Sequence, residues 1–318
     1  MRQRLFRGLG IAAVCALLGC TSVSLETAAV QTAASETPAP IVNSVTVTAA
    51  PTTTHAPAPT PTPTLAPTAA PTEAPTPIPT QTPEPTPEPI TEERLASGEF
   101  DRYFDDAVFI GDSLTRSFSN YTRLRREREE HFLGTAQFLG TVSMSVKNAS
   151  ADRASSDGIT FYYRGKAVSV TEGINRMEAK KAFIMLGLND IGSRTWESVE
   201  GYFNKLIDTI QEKCPDTEIV MQGILPVTEQ YLKNNGHTAE RWNSFNEILA
   251  RICEEQGVDF LDFSKEVMTE SGALREDYSS DKLFHLNEDG EQVWIRALRL
   301  YAAKKMYPDA ALSGEPLS

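Results

Sequence analysis

Cysteine, histidine and tryptophan are scarce in this chain of 318 residues, which has four, four and three of them. Only Cys214 and Cys253 lie beyond residue 20, which excludes a disulfide-rich framework. These two cysteines are either bonded to each other or separately buried. No cluster of cysteines and histidines has the spacing of a metal site, and we therefore expect no metal and no cofactor.

Basic residues are also fewer than acidic residues. The chain has 30 lysines and arginines against 43 aspartates and glutamates, which gives a formal net charge of −13. An acidic surface argues against nucleic acid as a partner, and it offers no basic face to anionic lipids. We therefore expect contact with a membrane only through a lipid anchor.

Long apolar runs are missing except near the N terminus, where three early arginines precede apolar residues 8–19. This run is too short for a permanent membrane span and is typical of a signal peptide. It ends in Leu-Leu-Gly-Cys at 17–20, which resembles the lipobox of bacterial lipoproteins. We expect cleavage after residues 1–19 and a lipid on Cys20, which would hold the protein at the extracellular face of the cytoplasmic membrane. The alternative is an ordinary cleavage site with an incidental cysteine.

Residues 21–91 contain nothing that could build a core. Threonine, alanine and proline dominate, with Pro-Thr repeats such as 59–63. Such a segment favours an extended, solvated polyproline II conformation of ~3.1 Å per residue, which suits a tether that reaches into a cell wall. We therefore divide the mature chain into lipidated Cys20 with a disordered linker (20–95), a single domain (96–307) and a disordered tail (308–318).

The domain alternates apolar strand patterns with amphipathic helix patterns. This alternation predicts an α/β fold, a three-layer α/β/α sandwich with a mostly parallel, doubly wound sheet. The predicted strands lie near residues 107–110, 138–142, 182–186, 218–225 and 258–261, a hairpin near 159–170, and helices near 196–210, 242–252 and 287–301.

Three short motifs carry the chemistry. Gly-Asp-Ser-Leu at 111–114 follows the first apolar run, so Ser113 lies where open α/β sheets place their active sites. Taken alone, Asp112 and Ser113 are better explained as a helix cap. Gly-Leu-Asn-Asp at 187–190 follows another strand, and Phe-His-Leu-Asn at 284–287 precedes the last helix. Together the motifs resemble the SGNH (GDSL) hydrolase family over roughly residues 100–306.

The resemblance implies a role for each motif. Ser113 is the expected nucleophile and His285 its base. Asn189 is expected to donate its side-chain amide to the oxyanion, beside the backbone N–H of Ser113. A further N–H comes from the loop after the second strand, where the preferred residue is Ser143 and the alternative is Gly140.

The acid of the triad departs from the family pattern. The family has an aspartate three residues before the histidine, where this chain has Lys282. Asp281 could reach His285 through a one-residue bulge, and Asp277 is a more distant candidate. Alternatively, a backbone carbonyl orients the histidine and leaves a dyad.

These features predict a lipid-anchored extracellular serine esterase that removes small O-acyl groups, above all O-acetyl, from cell-wall or other polysaccharide. One alternative is a lysophospholipase or thioesterase of the same family, favoured by a long apolar pocket. Another is a catalytically impaired glycan-binding module, which the lysine at 282 would explain.

Overall fold

The computed structural model describes residues 88–152, 158–192 and 194–313, and these residues form alternating strands and helices. The strands are β1 (Ile90–Thr91), β2 (Ala107–Gly111), β3 (Gln137–Gly140), β4 (Phe161–Tyr163), β5 (Lys166–Val168), β6 (Lys181–Met185), β7 (Glu218–Gln222), β8 (Asp259–Leu261) and β9 (Leu312–Ser313). The helices are α1 (Glu92–Ala96), α2 (Ser113–Arg126), α3 (Val146–Ala149), α4 (Val170–Met177), α5 (Trp196–Lys213), α6 (Glu229–Asn235), α7 (Ala239–Gln256) and α8 (Glu288–Met306). Short 3₁₀ helices cover Asp101–Phe104, Ser264–Val267 and Glu276–Tyr278.

The central sheet has five strands in the order β3-β2-β6-β7-β8, and every neighbouring pair is parallel. From β2 the chain first moves outward to β3 and then returns to the other side of β2 to form β6. The strand order therefore reverses between β2 and β6, and ligands of open α/β sheets bind at such a switch point, beyond the carboxyl ends of the strands. The predicted α/β fold with a parallel sheet is confirmed.

Helices cover both faces of the sheet. Helices α2 and α8 contact each other on one face, while α4, α5 and α7 contact one another in sequence on the other. This arrangement follows from right-handed crossovers between parallel strands. The result is the expected three-layer sandwich.

Aromatic stacking fixes the layers around the site. The register aligns Phe109 of β2 with Phe138 of β3 and Phe183 of β6, and their ring centroids lie 5.3 and 5.0 Å from that of Phe109. Above them, Phe118 of α2 stacks on Trp294 of α8 at 4.3 Å, and both are fully buried. Since α2 begins at Ser113 and α8 begins just after His285, this contact sets the spacing of the two helix ends that carry the site.

Two glycines are required by close packing at the strand ends. A Cβ on Gly111 would lie 2.1 Å from Thr115 Oγ1 and 2.4 Å from Met185 O, so no larger residue fits before the turn. Gly187 has a φ of +123°, and a Cβ there would lie 2.3 Å from the ring of Phe245. Both positions let the chain turn sharply where β2 and β6 end.

The folded region extends beyond the predicted domain boundaries. Ile90 and Thr91, assigned from sequence to the linker, pair in parallel with Leu312 and Ser313, assigned to a disordered tail. The tail prediction is wrong for the start of this segment, because residues 311–313 form backbone contacts with β1 and Ala310 packs against the core, although the other side chains of 308–313 are exposed. The predicted signal peptide, Cys20 and the linker up to residue 87 lie outside the described residues, as do residues 314–318.

Cys214 and Cys253 are both buried and both free, so the alternative of a disulfide between them is wrong.

Within the described ranges, no helix combines the length and the apolar character that crossing a membrane requires.

Candidate active site

Ser113 lies at the turn from β2 to α2, at the carboxyl edge of the sheet. Asp112 is the N-cap residue of α2, and its Oδ1 accepts a hydrogen bond from Leu114 N at 2.9 Å. Ser113 is the first residue of the helix, where a backbone N–H has no acceptor within the helix itself. The turn therefore presents a hydroxyl and an N–H together.

His285 reaches this serine from the loop before α8. Its Nε2 lies 3.0 Å from Ser113 Oγ, and its Nδ1 lies 2.6 Å from Asp281 Oδ2. Both distances fall within hydrogen-bond reach. Because a carboxylate can only accept, Nδ1 carries the hydrogen in the neutral ring, and Nε2 has a lone pair directed at the serine hydroxyl.

A left-handed residue brings Asp281 to the histidine. Lys282 has a φ of +59° and absorbs the additional residue that separates this chain from the family pattern. Asp281 Oδ1 accepts from the backbone N–H groups of Leu283, Phe284 and His285 at 2.7, 3.0 and 3.2 Å. Oδ2 is thereby left for the imidazole, and the side chain of Lys282 is exposed.

The surroundings of Asp281 favour its charged form. Partial burial on its own would raise the pKa of this carboxyl, but the hydrogen bonds from the His285 ring and from three backbone N–H groups outweigh it. The pKa of Asp281 lies below its ordinary value in consequence, and the carboxylate remains ionised beside the imidazole.

Asp277, the more distant candidate for the partner of His285, is occupied elsewhere. The carboxylate of Asp277 pairs with Arg275, at 2.6 Å between Oδ2 and Nη2. The carbonyl of Asp277 accepts from Asn287 Nδ2, and the Nδ1 of His285 contacts the Asp281 carboxylate rather than a carbonyl. The structure thus brings Asp281, and not Asp277, to the histidine.

The loop after β3 places Ser143 in the cavity wall beside Ser113. Thr141 O accepts from Met144 N at 3.1 Å, and this tight turn holds Ser143 at a φ of +60°. Gly140 lies in the strand instead, and a Cβ there would come within 2.8 Å of the backbone N of Arg116. Of the two candidate donors, Ser143 lines the cavity and Gly140 packs beneath α2.

Asn189 lines the same cavity from the turn after β6, but its amide is engaged. Nδ2 lies 3.1 Å from Asp112 Oδ2 and 3.0 Å from Met144 O, so both of its hydrogens have acceptors. To donate to an oxyanion as predicted, the amide would have to give up one of them. Complete burial raises the pKa of Asp112 to about 7, from an ordinary value of 3.8. Asp112 is a partner of Asn189 that sequence reasoning missed.

Asp190 orders the loop that carries Ser143. It is fully buried, and its Oδ2 accepts from the backbone N of Val146 at 2.9 Å while its Oδ1 pairs with Arg194 at 3.1 Å. The turn after β6 is thereby joined to the turn after β3. This carboxylate therefore supports the loop that carries Ser143.

The cavity around these residues has a volume of about 380 Å³. Besides Ser113, Ser143, Asn189 and His285, its lining includes Arg116, Ser117, Asn120, Val142 and Phe284. Sequence reasoning did not single out the first three of these, although their spacing from Ser113 places all of them on one face of α2. In the described part of the chain, no group of three or more histidine, cysteine, aspartate or glutamate residues is arranged to hold a metal.

Comparison with known proteins gives one family and several related folds. Residues 109–293 match the GDSL-like lipase/acylhydrolase family. No curated protein matches the sequence. Among solved structures, a GDSL-like lipase from Bacteroides thetaiotaomicron is 13% identical, with a TM-score of 0.46, and the match covers 67% of this chain and 97% of that one.

Two esterase structures are similar at the same level. An acetyl xylan esterase is 14% identical with a TM-score of 0.46, and the match covers 62% of this chain and 98% of that one. A catalytic mutant of an acetylxylan esterase from Geobacillus stearothermophilus is 14% identical with a TM-score of 0.43, covering 62% and 93%. The family match itself spans more than half of the sequence and includes the residues that surround Ser113. This chain belongs to the GDSL-like lipase/acylhydrolase family.

Proposed function

We propose that this protein is a lipid-anchored extracellular serine esterase that removes small O-acyl groups, above all acetyl, from cell-wall or other polysaccharide. The observation that carries the proposal is the hydrogen-bonded triad. His285 Nδ1 lies 2.6 Å from Asp281 Oδ2, and His285 Nε2 lies 3.0 Å from Ser113 Oγ. Family membership supports ester hydrolysis, and this geometry supports the assignment of the reacting groups.

In the first half of the reaction, His285 Nε2 takes the proton of Ser113 while Oγ attacks the carbonyl carbon of the ester. The carbonyl π electrons move to oxygen and form a tetrahedral oxyanion. When the carbonyl re-forms, the bond to the alcohol oxygen breaks, and the imidazolium protonates that oxygen. Water then attacks the acyl-enzyme by the same steps, releasing the acid and restoring the serine.

The developing oxyanion needs donors that are already in position. Ser113, Ser143 and Asn189 all line the cavity, and their candidate donors are two backbone N–H groups and one side-chain amide. Met144 O and Asp112 Oδ2 hold the amide in the free protein, so an entering oxyanion competes with a neutral carbonyl and with the Asp112 carboxyl for it. A single such donor is typically worth ~10²–10³ in rate.

The lining of the cavity favours a small acyl group. Among the described residues, Val142 and Phe284 are the only apolar ones that line the cavity, whereas a long acyl chain needs a continuous apolar channel. The remaining lining is polar, which suits the hydroxyl groups of a sugar. These features support the acetylesterase over the lysophospholipase alternative.

The central test is hydrolysis of p-nitrophenyl esters of increasing acyl length. We expect turnover to fall beyond the butyrate ester and to vanish in Ser113→Ala. Ser119→Ala is the matched control, because Ser119 lies on the same helix but does not line the cavity. A fluorophosphonate should label Ser113 alone. Rising turnover with longer chains would favour the lipase, and absence of both turnover and labelling would favour the glycan-binding module.

The anchor is tested separately, because it depends on Cys20. The wild-type protein should partition with membranes and incorporate labelled fatty acid, whereas Cys20→Ala should be released or remain an uncleaved precursor. Cys15→Ala is the matched control, since residue 15 belongs to the predicted signal peptide. Soluble, unlipidated wild-type protein would contradict the anchor without affecting the esterase assignment.

A further inference from the structure

A polar stripe runs along α2 from the serine. Ser113, Arg116, Ser117 and Asn120 stand at positions i, i+3, i+4 and i+7, so their side chains share one face of the helix. All four line the cavity. The stripe extends about 10 Å along the helix axis from the reacting hydroxyl.

Ser113 is the member of the stripe whose side chain contacts another described residue, His285. No hydrogen bond or ion pair joins the side chain of Arg116, Ser117 or Asn120 to any other residue of the described chain. Elsewhere on α2, by contrast, Arg123 and Arg125 pair with Glu127 and Glu129. The donors of the stripe are therefore left available on a surface that also contains the reactive hydroxyl.

We propose that the stripe binds the alcohol part of the ester, and that Arg116 binds an oxyanion carried by that alcohol, a carboxylate or a phosphate. This inference rests on the proposed esterase function and names its substrate class, an acylated acidic sugar. The methyl group of an acetyl ester cannot form hydrogen bonds with these three side chains, whereas the hydroxyl groups of a sugar can. Val142, 53% exposed, and Phe284 remain for the apolar part of the substrate.

Charge in the cavity favours an anionic ligand. Of the lining residues in the described ranges, Arg116 is the only lysine or arginine, and none is an aspartate or glutamate. The chain as a whole carries a net charge of −13, so a cation here is opposite in sign to the average surface. The guanidinium group matches carboxylate and phosphate with two parallel N–H donors.

The test uses three acetylated methyl glycosides that differ only in the exocyclic group on the sugar ring, which is a hydroxymethyl, a carboxylate or a phosphoryloxymethyl group. The quantity measured is the ratio of kcat/KM for each anionic ester to that for the neutral one. In the wild type we expect this ratio to be on the order of ten, because a hydrogen bond to a charged group contributes about that much to binding. The difference should appear mainly as a lower KM for the anionic ester. The larger of the two ratios identifies the anion.

Three variants separate Arg116 from general electrostatics. Arg116→Gln should bring the ratio to about one, and Arg116→Lys should retain part of it because charge remains but the paired donors are lost. Arg128→Gln removes the same charge from an exposed position outside the cavity and should leave the ratio unchanged.

The outcomes also distinguish the inference from the function on which it rests. A wild-type ratio near one, or a ratio that survives in Arg116→Gln, overturns the role of Arg116 while the esterase stands. If the wild type hydrolyses neither the glycosides nor p-nitrophenyl acetate, the proposed function and the inference both fall.

Discussion

Two carboxylates lie near the predicted nucleophile and its histidine, and their surroundings are opposite. Asp112 is fully buried at the start of α2, and desolvation raises its pKa to about 7. Asp281 lies in the partly exposed loop before α8, where hydrogen bonds from the His285 ring and three backbone N–H groups lower its pKa. One is next to Ser113 in sequence, and the other reaches it only through the histidine.

The difference indicates which carboxylate can assist proton transfer. In the proposed mechanism, a carboxylate that stays ionised can stabilise the imidazolium that forms when His285 takes the serine proton. Asp112 instead accepts from Leu114 N and Asn189 Nδ2, so it shapes the turn and positions an amide. Variants of the two aspartates should therefore fail in different ways.

Among variants of the residues around Ser113 and His285, the largest effect is expected from Asp281→Asn. The amide keeps the shape but favours the wrong histidine tautomer, a change that costs about 10⁴ in kcat in a serine protease. The measurement is kcat for p-nitrophenyl acetate. Asp277→Asn is the control, since Asp277 pairs with Arg275. If Asp281→Asn retained most activity, a different group would orient the histidine.

Asn189→Ala should have the next largest effect, a loss of about 10²–10³ in kcat. The loss should appear in kcat far more than in KM, because the contact to oxygen strengthens only in the transition state. Steady-state kinetics on one ester separates the two parameters. A loss confined to KM would mean that the amide stays with Asp112 and Met144 O throughout the reaction.

The sequence could predict the serine, the histidine and the asparagine, because each belongs to a short motif with its own place in the fold. It could not decide between Asp281 and Asp277, since the choice depends on the left-handed backbone of Lys282. Nor could it place the amide of Asn189 between Asp112 and Met144 O, because strands distant in sequence bring these groups together.

A third prediction concerns Asp112 and pH. Between its ordinary pKa of 3.8 and its folded value of about 7, the folded protein holds a proton that the unfolded chain releases. The free energy of unfolding therefore falls as pH rises through this window, by an amount on the order of a few kcal/mol. Asp112→Asn retains a capping oxygen and should remove that part of the slope.

Glu291 provides the comparison for this experiment. Its burial raises the pKa to about 8, so its contribution falls over a window that extends from about pH 4.5 to about 8. The measurement is the free energy of unfolding in denaturant as a function of pH. Asp112→Asn should lose the part of the pH dependence that ends near pH 7, and Glu291→Gln the part that ends near pH 8. An unchanged slope in Asp112→Asn would mean that Asp112 is ionised in the folded state.

The smallest effects are expected at Lys282, beside Asp281. Lys282→Ala should leave kcat within about twofold, because the side chain is exposed and only the backbone shape is used. Lys282→Gly should change the free energy of unfolding by under about 1 kcal/mol. Glycine removes the backbone strain of the positive φ, but it also increases the conformational entropy of the unfolded chain, and the two effects offset each other. A tenfold loss of kcat in Lys282→Ala would assign the side chain a part in the reaction.

The pairing of β1 with β9 has a consequence for how the chain can be cut and rejoined. Ile90 and Leu312 are neighbours in a two-residue ladder, so a short peptide could link the two ends of the folded region. New ends could open at Arg164 and Gly165, the exposed tip of the β4–β5 hairpin. In that circular permutant the histidine would precede the serine along the chain while their positions in space stayed the same.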